Sequence, residues 1–157
     1  MLVSSAILKE KERLGVVASV FLILRRNNEI FLMRRANTGY EDGCYSLIAG
    51  HLERMESLAE AMAREAREEA GIDINIRNLK LVHVGNRTKV SSKQDQERLD
   101  FYFMVDQWSG ELKNVESNKC DDMRWFPIDS LPKNMIKFVR LAISKSLHGE
   151  HYSEFEA

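Results

Sequence analysis

The sequence predicts an α/β fold, a mixed central sheet with helices on its faces. Three observations predict it. Short apolar runs rich in β-branched residues recur between clusters of turn residues and read as strands. Several of these runs are joined by connections short enough for hairpins, which places antiparallel pairs in the sheet. Two stretches switch to helical spacing, one mid-chain and one near the end, so strands and helices interleave.

Taken in order, "GVVASVFLILRR" is the first strand, "NNE" a turn and "IFLMRR" the returning strand of a hairpin. "ANTGYEDG" is turn chemistry, and "CYSLIAG" is a short strand running into Gly50. A helix is predicted from Ser57 to Ala70, with Ser57 and Glu60 at capping-box spacing and Gly71 where a helix exits. "IDINIRNLKLVHVGNR" alternates as one or two strands, and "TKVSSKQDQER" is a polar loop. "LDFYFMVDQW" is a strand turned by "SG", and "MRWFPID" is a final short strand. From Lys133 onward, Met135, Ile136, Val139, Ile143 and Leu147 recur at helical spacing, which makes a closing amphipathic helix on the sheet.

With no repeat or linker, the 157 residues read as one domain, 1–157, long enough to bury a core. A formal net charge of −1 gives no bulk electrostatic attraction to nucleic acid or membrane. Two cysteines, Cys44 and Cys120, are too few for a disulfide scaffold and suit reduced thiols in a cytoplasmic protein. "MLVSSAILKEKERLG" breaks its apolar character by Lys9, unlike a secretory leader, and "VVASVFLIL" is too short to span a bilayer.

The stretch Gly50–Ile72, "GHLERMESLAEAMAREAREEAGI", carries six glutamates and three arginines around its alanines. At about 100° per residue, Leu58, Ala59, Met62, Ala63, Ala66 and Ala70 form the core face. Glu60, Arg64 and Arg67 lie opposite, as a solvated charged face should. Glu65 and Glu69 do not: they share the edge of the apolar stripe, with Glu68 flanking them at i, i+3, i+4 spacing. Clustered carboxylates beside apolar surface repel one another and take up protons unless a cation neutralises them. Arg64 can bridge back to Glu60, Glu68 or Glu56, and a hard divalent cation that prefers oxygen ligands is the other solution. The residues alone leave both open.

The same stretch reads Gly50, five residues, Glu56, seven residues, then Arg64-Glu65-Ala66-Arg67-Glu68-Glu69-Ala70-Gly71-Ile72. It matches the Nudix box, G-x5-E-x7-R-E-U-x-E-E-x-G-U with U aliphatic or small, at every defined position. Average residue usage puts a chance match at one start point on the order of one in a billion. The chain therefore resembles a Nudix hydrolase of the MutT-like branch, over roughly Gly15 to Pro132. "NNEIFLMRRA" resembles the hairpin whose closing arginine approaches substrate phosphate, placing Arg34 there with Arg35 beside it. "WSGELKNVES" resembles the segment that brings a further acid near the metals, which is Glu116, and "MRWFPIDSLP" the closing strand and turn. One departure is Ile48-Ala49, where the family often has proline and glycine.

The resemblance implies a Nudix-type α/β/α sandwich and hydrolysis of a nucleoside diphosphate linked to X, most simply a nucleoside triphosphate cut to monophosphate and pyrophosphate. It implies Mg²⁺ or Mn²⁺ held by Glu65, Glu68 and Glu69, with the Gly50 carbonyl and Glu116 as further ligands. One of the three glutamates, or Glu116, takes the proton from water. Arg64 holds Glu56 and the loop in place, and Arg34 and Arg35 bind substrate. Because strand residues alternate, only one of the two arginines is expected to face the cleft, and the resemblance selects Arg34. The implied partner is a nucleotide-type small molecule, with a homodimer left open.

The remaining candidates have plainer readings. Trp125 and Phe126 suit core packing better than base stacking. Asp121 and Asp122 read as a solvated turn that can otherwise address a base edge. Asn37, Tyr40 and Tyr45 belong to the loop before the box, His51 adjoins Gly50, and Cys44 reads as an inert thiol. His83, His148 and His151 carry no signal. Two other functions stand beside the hydrolase: a Nudix-fold sensor without catalysis, which intact Glu65, Glu68 and Glu69 argue against, and an isoprenoid diphosphate isomerase, suggested by Cys44 alone.

Overall fold

A computed structural model describes residues 15–88 and 96–156. Residues 1–14, the centre of the polar loop at 89–95, and residue 157 lie outside the described residues. Strand β1 (Val17–Arg26) turns at Asn27 into β2 (Glu29–Arg35). Asn27 takes a φ of 52°, a conformation that asparagine tolerates in tight hairpins. The expected single strand before Gly50 is two, β3 (Tyr45–Ser46) and β4 (Ile48–His51), which serve different partners. β3 pairs with β2, and β4 pairs with β1, placing Gly50 opposite Val20.

Helix α1 (Leu58–Ala70) has the predicted caps. Ser57 Oγ accepts from the Glu60 N–H, Glu60 returns the bond to the Ser57 N–H, and Gly71 closes the helix at φ 68°. Its buried face is Ala61, Met62, Ala66 and Ala70; Ala59 and Ala63, assigned to the core by the wheel, are only half-buried. A 3₁₀ turn, Ile76–Asn78, precedes β5 (Lys80–Thr88), so the alternating stretch holds one strand rather than two. β6 (Arg98–Val105) and β7 (Cys120–Pro127) follow.

The closing helix α2 spans Lys137–Leu147, starting later than its apolar spacing predicts. Backbone bonds explain the delay: Tyr45 N donates to Asn134 O at 2.8 Å and Ile136 N donates to Tyr45 O at 3.0 Å, so Met135 and Ile136 are buried in an extended bridge. The chain then adds β8 (Tyr152–Glu156), parallel to β5, which the sequence reading does not contain.

The strands run β3-β2-β1-β6-β5-β8, with β4 also on β1 and β7 on β2. β1–β6 and β5–β8 are parallel and the other named pairs antiparallel, so the sheet is mixed. Alternation along β1 divides two cores. Val20, Leu22 and Leu24 join Met62 and Ala66 of α1, whereas Phe21 and Ile23 join Val139 and Ile143 of α2. The molecule is the expected α/β/α sandwich.

Candidate active site

Gly50, one residue before the end of β4, lies against α1. A Cβ placed on it would stand 1.9 Å from Glu65 Oε1, so only glycine lets that carboxylate rest on the strand backbone. Glu65 is 12% exposed at its side chain, and burial pushes its carboxyl above the usual range against the pull of Arg64. Glu69 Oε2 accepts the Ala49 N–H at 3.1 Å. Its carboxyl is pushed up to about 8, first by burial and further by Glu65 and Glu116. Glu68, at 52% side-chain exposure, stands on the outer flank.

Arg64 does not lie on a solvated face, as the wheel placed it. Its side chain is 22% exposed and reaches back across the loop before α1. It donates to Glu56 from Nε at 3.0 Å and from Nη2 at 2.8 Å, a fork that suits a planar guanidinium. The same group donates to Glu65 Oε1 at 2.7 Å, Glu68 Oε2 at 3.3 Å and the His51 carbonyl at 3.0 Å. Glu60 instead serves the helix cap. The bond from Arg64 holds the Glu56 carboxyl below its ordinary range, and Glu56 Oε1 also accepts the Glu53 N–H at 2.7 Å. Arg64 thus ties the loop to the glutamate edge.

A cavity of about 400 Å³ opens beside this edge, lined by Glu69, Glu116, Arg34, Arg35, Lys119 and Thr38 among others. Both arginines reach it, against the expectation that alternation admits only one. The pairing of β2 with β7 shifts register between them: Arg34 lies opposite Asp122 and Arg35 opposite Cys120. Arg34 Nε donates to Asp121 Oδ1 at 2.7 Å, and Arg35 donates to Tyr40 O at 2.8 Å and Thr38 Oγ1 at 3.0 Å. Glu116 accepts from Lys119 Nζ at 3.3 Å. Glu65, Glu68 and Gly50 do not line this cavity; they sit along the α1 edge next to it.

Asp121 and Asp122 belong to β7, not to a solvated turn. Asp122 accepts from the Tyr45 hydroxyl and from Arg124 Nε, which hold its carboxyl low. Trp125 packs on Phe31 and Trp108 under the Arg26 guanidinium, and Phe126 packs edge-on to Tyr45. Cys44 and Cys120 are free thiols, both pushed up chiefly by burial. The sequence gives no signal for Lys119, Thr38 or Ser46: Lys119 and Thr38 lie in polar stretches without periodicity, Ser46 is a small residue within a short apolar strand, and only the fold brings them to the cavity.

The donor chemistry fits a hard divalent cation. Glu65, Glu68, Glu69 and the Gly50 carbonyl offer oxygen alone, and a buried carboxyl held near pH 8 regains its charge beside a cation. Among the described residues no three acidic, histidine or cysteine side chains form a ready-made cage, and Arg64 engages Glu65 and Glu68. Mg²⁺ keeps several waters and needs only one or two carboxylates, which this edge supplies.

A helix edge of carboxylates against a strand glycine, on a mixed sheet between two helices, defines the Nudix class of α/β/α sandwich. Residues 13–145 match the NUDIX domain, and the chain belongs to that family. It is similar to the NAD-capped RNA hydrolase NudC of Stutzerimonas stutzeri, 31% identical over 114 residues, covering 73% of this chain and 37% of that protein. It is also similar to the ADP-ribose pyrophosphatase of Methanocaldococcus jannaschii, 31% identical over 71% of this chain and 62% of that protein. The chain thus spans well under two thirds of the NudC relative's length. In fold it resembles a MutT NUDIX hydrolase from Burkholderia pseudomallei, with a TM-score of 0.74 at 24% identity over 83% of this chain and 97% of that one. Among the described residues no helix is long and apolar enough to cross a membrane.

Proposed function

We propose that the chain is a divalent-cation-dependent nucleotide pyrophosphohydrolase, acting as a single domain on a nucleoside diphosphate linked to X. The observation that carries the reading is the meeting of opposite chemistries at one cavity. Glu69 and Glu116 line it together with Arg34, Arg35 and Lys119, acids for a cation and cations for phosphate. Nucleoside triphosphate is the simplest substrate. The names of the NudC and ADP-ribose pyrophosphatase relatives favour a second reading, in which X is a sugar or a second nucleoside.

Glu65, Glu68 and Glu69 would hold Mg²⁺ or Mn²⁺, with the Gly50 carbonyl and Glu116 within the same region. A bound cation supplies charge neutralisation on phosphate oxygens and makes water easier to deprotonate. Arg34 and Arg35 hold the diphosphate oxygens by charge-assisted bonds and set the phosphorus in line for attack. A glutamate at the edge accepts the proton of the attacking water, and Glu116, freed from Lys119, competes for that role. Arg64 and Glu56 keep the loop carrying the Gly50 end of β4 fixed against α1, so the carboxylates do not drift.

The test is a turnover screen with Mg²⁺ and Mn²⁺ across nucleoside triphosphates, ADP-ribose and reduced NAD, with the products resolved by chromatography: monophosphate and pyrophosphate from a triphosphate, AMP and ribose phosphate from ADP-ribose, and AMP with reduced nicotinamide mononucleotide from reduced NAD. At least one compound should turn over, and Glu69→Gln should lower kcat by roughly 10²–10⁴-fold. No turnover of any compound, with nucleotide binding retained, moves the chain to the sensor reading.

A further inference from the structure

A second cavity, about 600 Å³, lies on the α2 face of the sheet. It shares Arg35, Ser46 and Lys119 with the first, so the two adjoin at these residues. Their chemistry differs. The second is lined by Arg35, Arg87, Arg98 and Lys119, and among the described residues no carboxylate lines it. Arg87 is held from beneath by Asp100, which is 1% exposed: Nη2 donates to Oδ1 at 2.9 Å, and Nε lies 2.6 Å from Oδ2 without the alignment of a hydrogen bond. The Arg87 guanidinium also covers the Phe138 ring at 4.0 Å. Arg98 Nη1 donates to His51 Nε2 at 2.8 Å, and that bond spends none of the Arg98 charge.

An independent observation comes from the wall. Ser19 on β1 is 3% exposed and lines the cavity, yet its hydroxyl has no hydrogen-bond partner among the described residues. A buried hydroxyl left unmatched costs stability, and native proteins leave few such groups without a reason. Asp100 answers Arg87 and Glu116 answers Lys119, which leaves Arg35 and Arg98 as surplus like charge at the cavity, and that surplus also costs stability by mutual repulsion. Both costs are relieved by one kind of occupant, an oxyanion that brings negative charge to the arginines and acceptor oxygens to the serine hydroxyl. A volume of 600 Å³ admits a phosphate together with the sugar or ring that carries it.

We propose that this cavity is a subsite for a phosphate group that the substrate carries beyond the phosphoric anhydride bond that is cut, held by Arg87, Arg98 and Ser19. The proposal rests on the reading of the first cavity as the reaction centre and deepens it. Preferred substrates carry an additional phosphate, and compounds whose only phosphates are those of the cleaved diphosphate are poorer.

Calorimetric titration of inorganic pyrophosphate in EDTA reads the cavity without turnover. The wild type should bind. Arg98→Gln and Ser19→Ala should each weaken binding roughly tenfold or more, on the scale of a lost bond to a charged group. Arg77→Gln removes the same charge from a residue that lines neither cavity, and should bind as the wild type does. Ser19→Ala should melt no lower than the wild type, since it deletes an unmatched hydroxyl; reduced affinity with undiminished stability is a pair of results that a merely structural role does not produce. In turnover, the kcat/KM ratio of reduced NADP to reduced NAD, which differ by one phosphate, should fall roughly tenfold in Arg98→Gln. Pyrophosphate binding unchanged in Arg98→Gln or Ser19→Ala, or weakened equally by Arg77→Gln, overturns the proposal even if the enzyme hydrolyses nucleotides. Binding lost as expected in a protein that hydrolyses nothing sinks the proposed function and leaves the anion site standing.

Discussion

At Gly50 a single hydrogen atom decides whether Glu65 can sit where it does. A methyl group there would meet the carboxylate at 1.9 Å, and Glu65 has Arg64 on its other side at 2.7 Å. Gly50→Ala should therefore displace Glu65, destabilise the fold by about 1–3 kcal/mol as overpacking does, and cut kcat further than it lowers melting temperature would explain. Melting together with single-turnover hydrolysis checks this, and an alanine variant with wild-type kcat would show that the close approach is dispensable. Glu69 carries a second residue-scale consequence. Its carboxyl is pushed from 4.5 to about 8, so between those values the folded chain binds a proton that the unfolded chain does not. Stability from this group is then full below pH 4.5 and is lost as pH rises toward 8, with a ceiling of about 5 kcal/mol. Denaturant titrations in EDTA should show wild type losing more stability than Glu69→Gln between pH 5 and about 8. Equal slopes for the two proteins would refute the assignment.

At the scale of elements, α1 and the loop before it behave as one unit because Arg64 bonds both. The capping box and Gly71 fix the helix ends, while the Arg64–Glu56 fork fixes where the loop enters. Arg64→Lys keeps the charge but has no second donor at the right angle, so Glu56 loses one of the two bonds it accepts from residue 64 and the His51 carbonyl loses its donor. We expect a loss of about 1.5–3 kcal/mol and faster amide exchange through residues 52–57, with α1 itself still protected. Exchange that rises equally along α1 would mean the clamp holds the helix rather than the loop. The motif spacing identified Arg64 and Glu56 as partners, yet the helical wheel placed Arg64 on a solvated face. The wheel fixes where Cβ points; a long guanidinium side chain folds back across the helix to its acids, and periodicity does not contain that reach.

At the scale of the whole molecule, what was legible followed from strong local signals. Ser57, Glu60 and Gly71 state the helix ends, the β1–β2 hairpin is written in Asn27, and the glutamate edge is a motif of fixed spacing. What was not legible depends on pairing between distant segments. Ser19, Arg87 and Arg98 come from three strands and meet only because β1 lies parallel to β6 and β6 antiparallel to β5. β8 was missed for the same reason: "YSEFE" is short and polar, and it is a strand because β5 offers it an edge. The buried ring of His83 joins the two, with Nδ1 donating to Glu150 O and Ser153 Oγ lying 2.8 Å from Nε2. Phe155 of β8 packs edge-on to Phe138, the ring beneath Arg87. Removing residues 150–157 should therefore uncover the β5 edge, strip both partners from His83 and loosen the support of Arg87, while leaving α1 and Gly50 on the far side of β1 in place. The expected result is a loss of about 2–4 kcal/mol, which lowers the melting temperature of a domain this size by roughly 5–15 °C. Pyrophosphate affinity in EDTA should fall with it, whereas kcat at saturating substrate, measured below the melting transition, should fall by less than threefold because the α1 edge keeps its contacts. A truncated chain that melts with the full-length protein, or one whose kcat falls in step with its pyrophosphate affinity, would show that the two faces of the sheet are not separable in this way.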